Sequence, residues 1–319
     1  MIGWDLAGFV RDSASDMLSA SSSGSHPIPQ LGPYLVEGEI AKGAQGAVYL
    51  ARHTLLGTAA ALKVIHQRDP VALERFRRET SALANLHHPG LPRVIDVGEQ
   101  GGLVFAAFEL VEGPTLKELV RTRGVQPLEW TLDLVARLAE AVDYCHQRGV
   151  LHRDLKPENV LIEEGSGRPV LVDFGLVKLS GASAADIGTQ QRLSLTGEVR
   201  GTPNYMAPEQ IEDSKRAGPL ADVYGLGGLL YTVICRQPPY TGKSVGTVLR
   251  KVQQGALDLP RDLVPDLEPE LEAICLKALA RDPAERYESA DAFSRALDEW
   301  VKGRLGKSGP VRLKGPGEQ

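Results

Sequence analysis

The stretch VLHRDLKPENVLI, Val150 to Ile162, sets His152, Arg153, Asp154, Lys156, Glu158 and Asn159 on one short turn between two apolar runs. Such a density of ionisable and amide groups, bounded on both sides by strand-forming residues, is costly to hold in place unless the groups act together. A further carboxylate, Asp173 of DFG, follows a short distance on. Asp154, Lys156, Asn159 and Asp173 are a set suited to handling phosphate oxygens and hard divalent cations, which prefer oxygen ligands.

Two more stretches are weaker signals by themselves. In AKGAQGAVYLA, residues 41 to 51, Gly43 and Gly46 let backbone N–H groups approach an anion with no side chain in the way. The loop is not a GxxxxGK[ST] phosphate loop, because no Lys-Ser/Thr follows. It is not a dinucleotide fingerprint either, because a strand follows. Taken alone it reads equally as a plain hairpin turn. Lys63 in AALKVI is a lone ammonium in a strand of small and apolar residues, where an unpaired charge is expensive. Glu79 on the helix ERFRRET is its natural partner, although either residue alone also reads as a solvated surface charge.

The elements that must position these groups fall into two sets. Residues 34–41, 46–53, 59–65, 93–100 and 103–111 are short β-rich runs broken by glycines and polar turns, which predicts a five-stranded antiparallel sheet. One helix interrupts them: Asp69 can cap it, Pro70 fits its first turn, and Leu73, Phe76, Thr80 and Leu83 recur at helical spacing. Past Gly113 the pattern turns helical, with Leu128, Leu132, Val135, Leu138, Val142 and Cys145 on one stripe and Gly149 ending that helix. Two short strands near NVLI and PVLVDFG come next, then a polar segment and more helices to about Val301. The expected class is α+β in two lobes: a β-rich N-lobe over 34–112 with one main helix, and a mostly helical C-lobe over 113–302. Residues 1–33 read as an extension and linker, 303–319 as a disordered tail, and the chemistry is expected between the lobes.

Composition narrows the classes. A chain of 319 residues with 42% hydrophobic content supports two lobes with a real core. Its net charge of -5, without basic runs, argues against nucleic acid as a partner. No window reaches the apolar length of a membrane helix and no signal peptide is evident, so the expected location is cytoplasmic. Cys145, Cys235 and Cys275 lie far apart in apolar helical patterns and read as buried free thiols. His87 and His88 read as a loop after a helix, without metal-ligand spacing.

HRDLKPEN, DFG and GTPNYMAPEQ (201–210), in that order, resemble the signature strings of eukaryotic-type protein kinases. The resemblance runs from about Tyr34 to Val301, and DPAERY with the compact C-lobe is similar to the bacterial serine/threonine branch. It implies the bilobal protein-kinase fold and an ATP-dependent serine/threonine kinase using Mg2+, with Mn2+ as a substitute. By resemblance, Lys63 holds the α- and β-phosphates and pairs with Glu79. Asp154 accepts the proton of the substrate hydroxyl, Lys156 steadies the transferring group, and Asn159 and Asp173 hold the metal ions. Ala41, Gly43 and Gly46 belong to the phosphate loop. Val48, Ala61 and Leu161 sandwich the adenine, the backbone of Glu109 and Val111 meets its edge, and Phe108 sets the depth of its pocket. Lys156 together with Thr202 marks the serine/threonine branch. Glu209 is expected to pair with Arg286, and Asp222 to tether the catalytic loop.

Arg153 beside Asp154 implies switching by a phosphate on the activation segment, with Ser194 and Thr196 as the leading sites among Ser180, Ser183, Thr189, Ser194 and Thr196, all of which also read as solvated linker hydroxyls. The implied partners are protein substrates with serine or threonine, and a second copy of the chain for autophosphorylation. The chain departs from the family's pattern at Ala41, where a loop glycine is usual, at Gln45, and in DVYGLG. Ala41 is the one feature favouring a weak or inactive kinase-fold scaffold, whereas all the charged catalytic positions are present. The apolar face of residues 2–10 suits docking onto a protein surface, while the same segment also reads as a frayed, disordered end.

Overall fold

In the computed structural model, residues 30–42, 46–65, 70–122, 127–174, 203–213 and 217–307 are described. Contacts divide the chain into two units, one reaching to Ala84 and including Arg93–Leu110, the other made of Asn85–Pro92 and the chain from Val111 onward.

The first unit is an antiparallel sheet of β1 (Gln30–Leu31), β2 (Tyr34–Lys42), β3 (Gly46–His53), β4 (Ala59–Ile65), β5 (Val94–Gln100) and β6 (Leu103–Glu109), in the order β1-β2-β3-β4-β6-β5. The sheet thus has six strands where five were expected. The extra one, β1, lies in what composition marked as linker. Leu31 is buried there, and β1 pairs Gln30 with Leu35 and Leu31 with Tyr34. Two residues are too few to show a period of two, which is why the pattern missed the strand. The core gathers Leu31, Tyr34, Ala51, Ala60, Leu62, Val64, Phe105 and Ala107 on one face. Helix α1 (Pro70–Ala84) starts at the expected proline and buries Phe76, Thr80 and Leu83 along the expected stripe.

Residues 85–92 were read as part of the β-rich lobe, yet they pack within the second unit. The reason is polar and aromatic. His87 N–H donates to the Tyr144 hydroxyl at 3.1 Å, and the His88 ring sits 5.1 Å from that of Tyr144. Arg168 also donates to the Pro89 carbonyl, and Leu171 N–H to the Gly90 carbonyl at 2.8 Å. The His pair is a loop, as expected.

The second unit continues with α2 (Leu116–Thr122) and α3 (Leu128–His146), the hairpin β7 (Val160–Ile162) and β8 (Pro169–Leu171), and α4 (Pro208–Glu212). It ends in α5 (Pro219–Cys235), α6 (Val245–Gln254), α7 (Pro260–Leu263), α8 (Pro269–Ala278) and α9 (Ala290–Lys307). The stripe of α3 is buried from Leu132 to Cys145, with Leu128 only partly buried at the first turn. Gly149 takes a left-handed φ of 74° just past that helix, a conformation glycine adopts without a Cβ penalty. Every residue of α5 from Ala221 to Ile234 is buried, so this helix is apolar all round and forms the centre of the unit. Its one charge is Asp222. Helix α9 runs to Lys307, past the expected end near Val301 and into the segment read as a disordered tail. In the added turn Arg304 pairs with Glu268 at 2.8 Å and lies over the Trp300 ring. Cys145 and Cys275 are buried free thiols as expected, but Cys235, at the open end of α5, is only partly buried.

Candidate active site

Within the first unit, strand register decides which candidate side chains share a face. Lys63 lies opposite Val48 on β3 and opposite Ala106 on β6, and Ala61 opposite Phe108. Directly paired residues and residues two apart point to the same side of a sheet. Val48, Ala61, Lys63, Ala106 and Phe108 therefore line one face, and Ala41, paired with Val48, joins them. Leu62 and Val64, pointing the other way, are fully buried in the core. That alternation presents the ammonium on the face away from the core. At Gly46 a methyl group would overlap the Val64 carbonyl, so close backbone approach, with no need for a left-handed φ, is what requires glycine. The Glu109 N–H donates to the Arg93 carbonyl at 2.8 Å. Gly43 and the Glu79 side chain lie outside the described residues.

In the second unit, the turn at 152–159 is built around Asp154. Its Oδ2 accepts from Lys156 Nζ at 2.9 Å and from Asn159 Nδ2 at 3.0 Å, and Asn159 Nδ2 also reaches the Asp154 carbonyl at 2.8 Å. Pro157 opens a 3₁₀ turn over Pro157–Asn159, whose fixed φ bends the chain back so that Asn159 reaches Asp154. Burial works against the Lys156 charge. Asp154, with its hydrogen bond, and then Asp173 and Glu158 outweigh it and hold the ammonium above its usual pKa. Leu161, half-buried, sits on β7 and forms an isolated bridge with Thr115.

Asp222 on α5 holds the start of this turn from beneath. It accepts from Arg153 N–H at 2.6 Å, from His152 N–H at 2.9 Å and from His146 Nε2 at 2.8 Å. Burial alone would push this carboxyl up, but the His146 hydrogen bond and the nearby His146 and His152 carry it below its usual value. The first contact allows Arg153 to keep a left-handed φ of 62°. His152 is buried and its pKa is lowered by burial, against the opposing pull of Asp222 and Asp154. A neutral ring here donates from Nε2 to the Val172 carbonyl at 3.2 Å and accepts at Nδ1 from Asp154 N–H at 3.3 Å. Its face meets the buried Phe174 ring at 4.6 Å. Val172 N–H donates to the Asn159 carbonyl at 2.9 Å, and Asp173 takes a left-handed φ of 58°. The tilted contact of Phe174 with His152 thus fixes the chain on one side of Asp173, and the Asn159 bond fixes it on the other.

The end of the GTPNYMAPEQ stretch is anchored as expected. Glu209 makes a two-pronged pair with Arg286 at 2.7 and 2.8 Å, and the Arg286 side chain is fully buried. Arg153 Nη2 donates to the Ala217 carbonyl at 3.2 Å, while its buried Nε has no hydrogen-bond partner among the described residues. Thr202, Ser194 and Thr196, with Ser180, Ser183 and Thr189, lie outside the described residues.

Sequence reading missed His146 as the third group on Asp222, and Gln210, which bonds to the Arg153 carbonyl at 3.1 Å. Neither lies on a periodic face whose pattern reports such a contact. Their partners are 76 and 57 residues away.

A family model described as protein kinase domain matches residues 34–297. The chain is 36% identical over 270 residues to the serine/threonine-protein kinase PknL of Mycobacterium tuberculosis, covering 83% of this chain and 64% of PknL. It is 35% identical over 256 residues to PknB of Mycolicibacterium smegmatis, a serine/threonine-protein kinase, covering 78% of this chain and 40% of that one. The chain therefore spans less than two thirds of the length of either relative. The crystal structure of Rad53 1-466 in complex with AMP-PNP superposes with a TM-score of 0.69 at 24% identity, over 83% of this chain and 65% of that one, which shows the fold.

Proposed function

Because this chain belongs to the protein kinase domain family, we propose that it transfers the γ-phosphoryl group of ATP to serine and threonine hydroxyls of proteins. The observation that carries the proposal is the turn of Asp154, Lys156 and Asn159, joined at a single carboxylate oxygen and held through Arg153 and His152 by a buried Asp222. A preorganised turn of this kind positions reacting groups before substrate arrives, which is where most catalysis of phosphoryl transfer originates.

In this reading Asp154 orients the acceptor hydroxyl and takes its proton. Lys156, kept charged by its acidic neighbours, steadies the phosphoryl oxygens as they pass to the acceptor. Lys63 holds the α- and β-phosphates, with Glu79 as its partner. Val48, Ala61 and Leu161 contact the adenine faces, with Ala41, Gly43 and Gly46 around the phosphates. The backbone of Glu109 and Val111 meets the adenine edge; the Glu109 N–H is already engaged by Arg93, so its carbonyl is the group for that bond.

Asn159 and Asp173 would hold magnesium. Asn159 turns its Nδ2 to Asp154, so the amide oxygen is the atom for a cation, and Asp173 adds a carboxylate. Two hard oxygen donors suit an ion that keeps water and draws its other ligands from phosphates. Bound there, it offsets the negative charge on the phosphate oxygens. The Arg153 Nε, buried and without a partner among the described residues, supports a phosphate on Ser194 or Thr196 as the activating partner, since a charged group of that kind satisfies a guanidinium withdrawn from water. Thr202 belongs in this reading to the loop that receives the acceptor.

The test is transfer of label from γ-labelled ATP, with magnesium, to a serine- and threonine-rich acceptor protein. Asp154→Asn should lower the rate about 10²- to 10⁴-fold and leave nucleotide binding in place. Equal rates in the two proteins would refute the role of Asp154.

A further inference from the structure

We propose that Gln210 is a positioning residue for Asp154: its amide fixes the plane of the peptide joining Arg153 to Asp154 and ties the end of the GTPNYMAPEQ stretch to the catalytic turn. For its kinetic half this inference rests on the phosphoryl-transfer reading; its structural half does not.

Gln210 is 8% exposed, on the short helix α4. Its Oε1 accepts from the Ala207 N–H at 3.0 Å, and its Nε2 donates to the Arg153 carbonyl at 3.1 Å. The assignment of the two amide atoms follows from the partners, because the flipped amide would set oxygen against oxygen and N–H against N–H. An amide donates and accepts at once; a carboxylate only accepts, and a thioether does neither to any useful extent.

What this bond holds is a peptide unit under constraint. Arg153 has a left-handed φ of 62°, a region that costs a residue with a Cβ about 1 kcal/mol or more and persists only where the surroundings enforce it. Asp222 enforces it from one side, by accepting the Arg153 N–H. On the other side, the 153–154 peptide has its carbonyl bonded to Gln210 and its N–H, that of Asp154, directed at His152 Nδ1. With both ends of the peptide held, its plane is set, and that plane aims the Asp154 side chain. The His152 contact is long, at 3.3 Å, so Gln210 supplies the firmer of the two restraints.

The same side chain faces the other way into the segment that Glu209 and Arg286 anchor. Displacement of Ala207–Gln210 would therefore be passed directly to the carbonyl beside Asp154. Asp222 secures the turn to the core of the unit, whereas Gln210 secures it to the segment that ends at α4.

The experiment compares Gln210→Glu, which keeps the bond to Ala207 and loses the donor, with Gln210→Met, which loses both. Hydrogen exchange of the peptide spanning 150–156 and the kinetics of phosphoryl transfer are read on the same preparations. Both variants should exchange at least about 10-fold faster in 150–156, with no change in α5 (219–235). Their kcat should fall about 10-fold, with KM for ATP within about two-fold of the parent. Unchanged exchange in 150–156 would overturn the inference even if the parent enzyme is active. So would exchange that rises equally throughout α5, or loss of folded protein in both variants, since either places Gln210 in general stability. If the parent transfers no phosphate, the phosphoryl-transfer reading fails, and the exchange result alone decides whether Gln210 holds the peptide.

Discussion

Replacing Arg286 by lysine removes two of the five donors that a fully buried guanidinium offers to its acceptors. Nε donates to the Ala280 carbonyl at 2.8 Å, and Nη1 to Glu209 Oε1 at 2.7 Å and to the Leu220 carbonyl at 2.8 Å. Nη2 donates to Glu209 Oε2 at 2.8 Å and to the Arg281 carbonyl at 3.1 Å. The five guanidinium hydrogens are thus all used, with the group 4.8 Å from the Tyr224 ring centroid. An ammonium has three hydrogens, so at least two acceptors lose their donor where water does not replace it. At about 1–3 kcal/mol for each buried group left unpaired, and with the two-pronged geometry lost, the cost is about 4 kcal/mol. A urea slope of about 2.5 kcal/mol/M turns that into a midpoint about 1.6 M lower. Urea titration followed by circular dichroism reads this directly. A midpoint within about 0.3 M of the parent would refute the assignment of Arg286 as a fully committed buried cation.

Asp222→Asn removes the charge that three donors share and should lower stability by about 3 kcal/mol or more in the same titration, with loss of kcat. The Asp222 pKa lies below the usual carboxylate value, so its contribution is fully present above about pH 4 and is lost as pH falls through the folded value. The parent should therefore lose more stability than the asparagine variant below about pH 4, and parallel curves there would count against the tether. Burial pushes the thiols of Cys145 and Cys235 up to about 12 and that of Cys275 well above its usual value. Roughly one part in ten thousand is then thiolate at pH 8 for the first two, and Ellman's reagent should find three thiols only after denaturation. Rapid titration of a full equivalent in native protein would contradict this.

Elements that repeat were legible in the sequence. The runs of strand-forming residues in β3, β4 and β6, set off by glycines and polar turns, and the 3.6-residue stripe of α3 announced themselves, because composition marks a strand and burial of one helix face imposes a period on residue types. The charged site was legible for a different reason: HRDLKPEN and DFG carry unusual groups at fixed spacing, and Asp222 and the Glu209–Arg286 pair sat where the resemblance put them. What was not legible depends on contacts distant in sequence. Strand β1 is held by pairing with Tyr34 and Leu35, the segment 85–92 joins the second unit through Tyr144 and Arg168, and α9 is prolonged beside Glu268. No local pattern encodes these partners. Polar contacts such as those of His146 and Gln210 are specified by geometry, and a lone polar residue in a helix gives the same sequence signal whether it meets solvent or a carbonyl.

Mapping phosphate on the purified protein by mass spectrometry, after incubation with magnesium and ATP, puts the proposed chemistry to its plainest trial. The parent should carry phosphate on serine or threonine between residues 175 and 202, foremost Ser194 and Thr196, and Asp154→Asn should carry none. A parent protein that binds ATP yet gains no phosphate, on itself or on an acceptor protein, would contradict the proposal and leave a nucleotide-binding scaffold in its place.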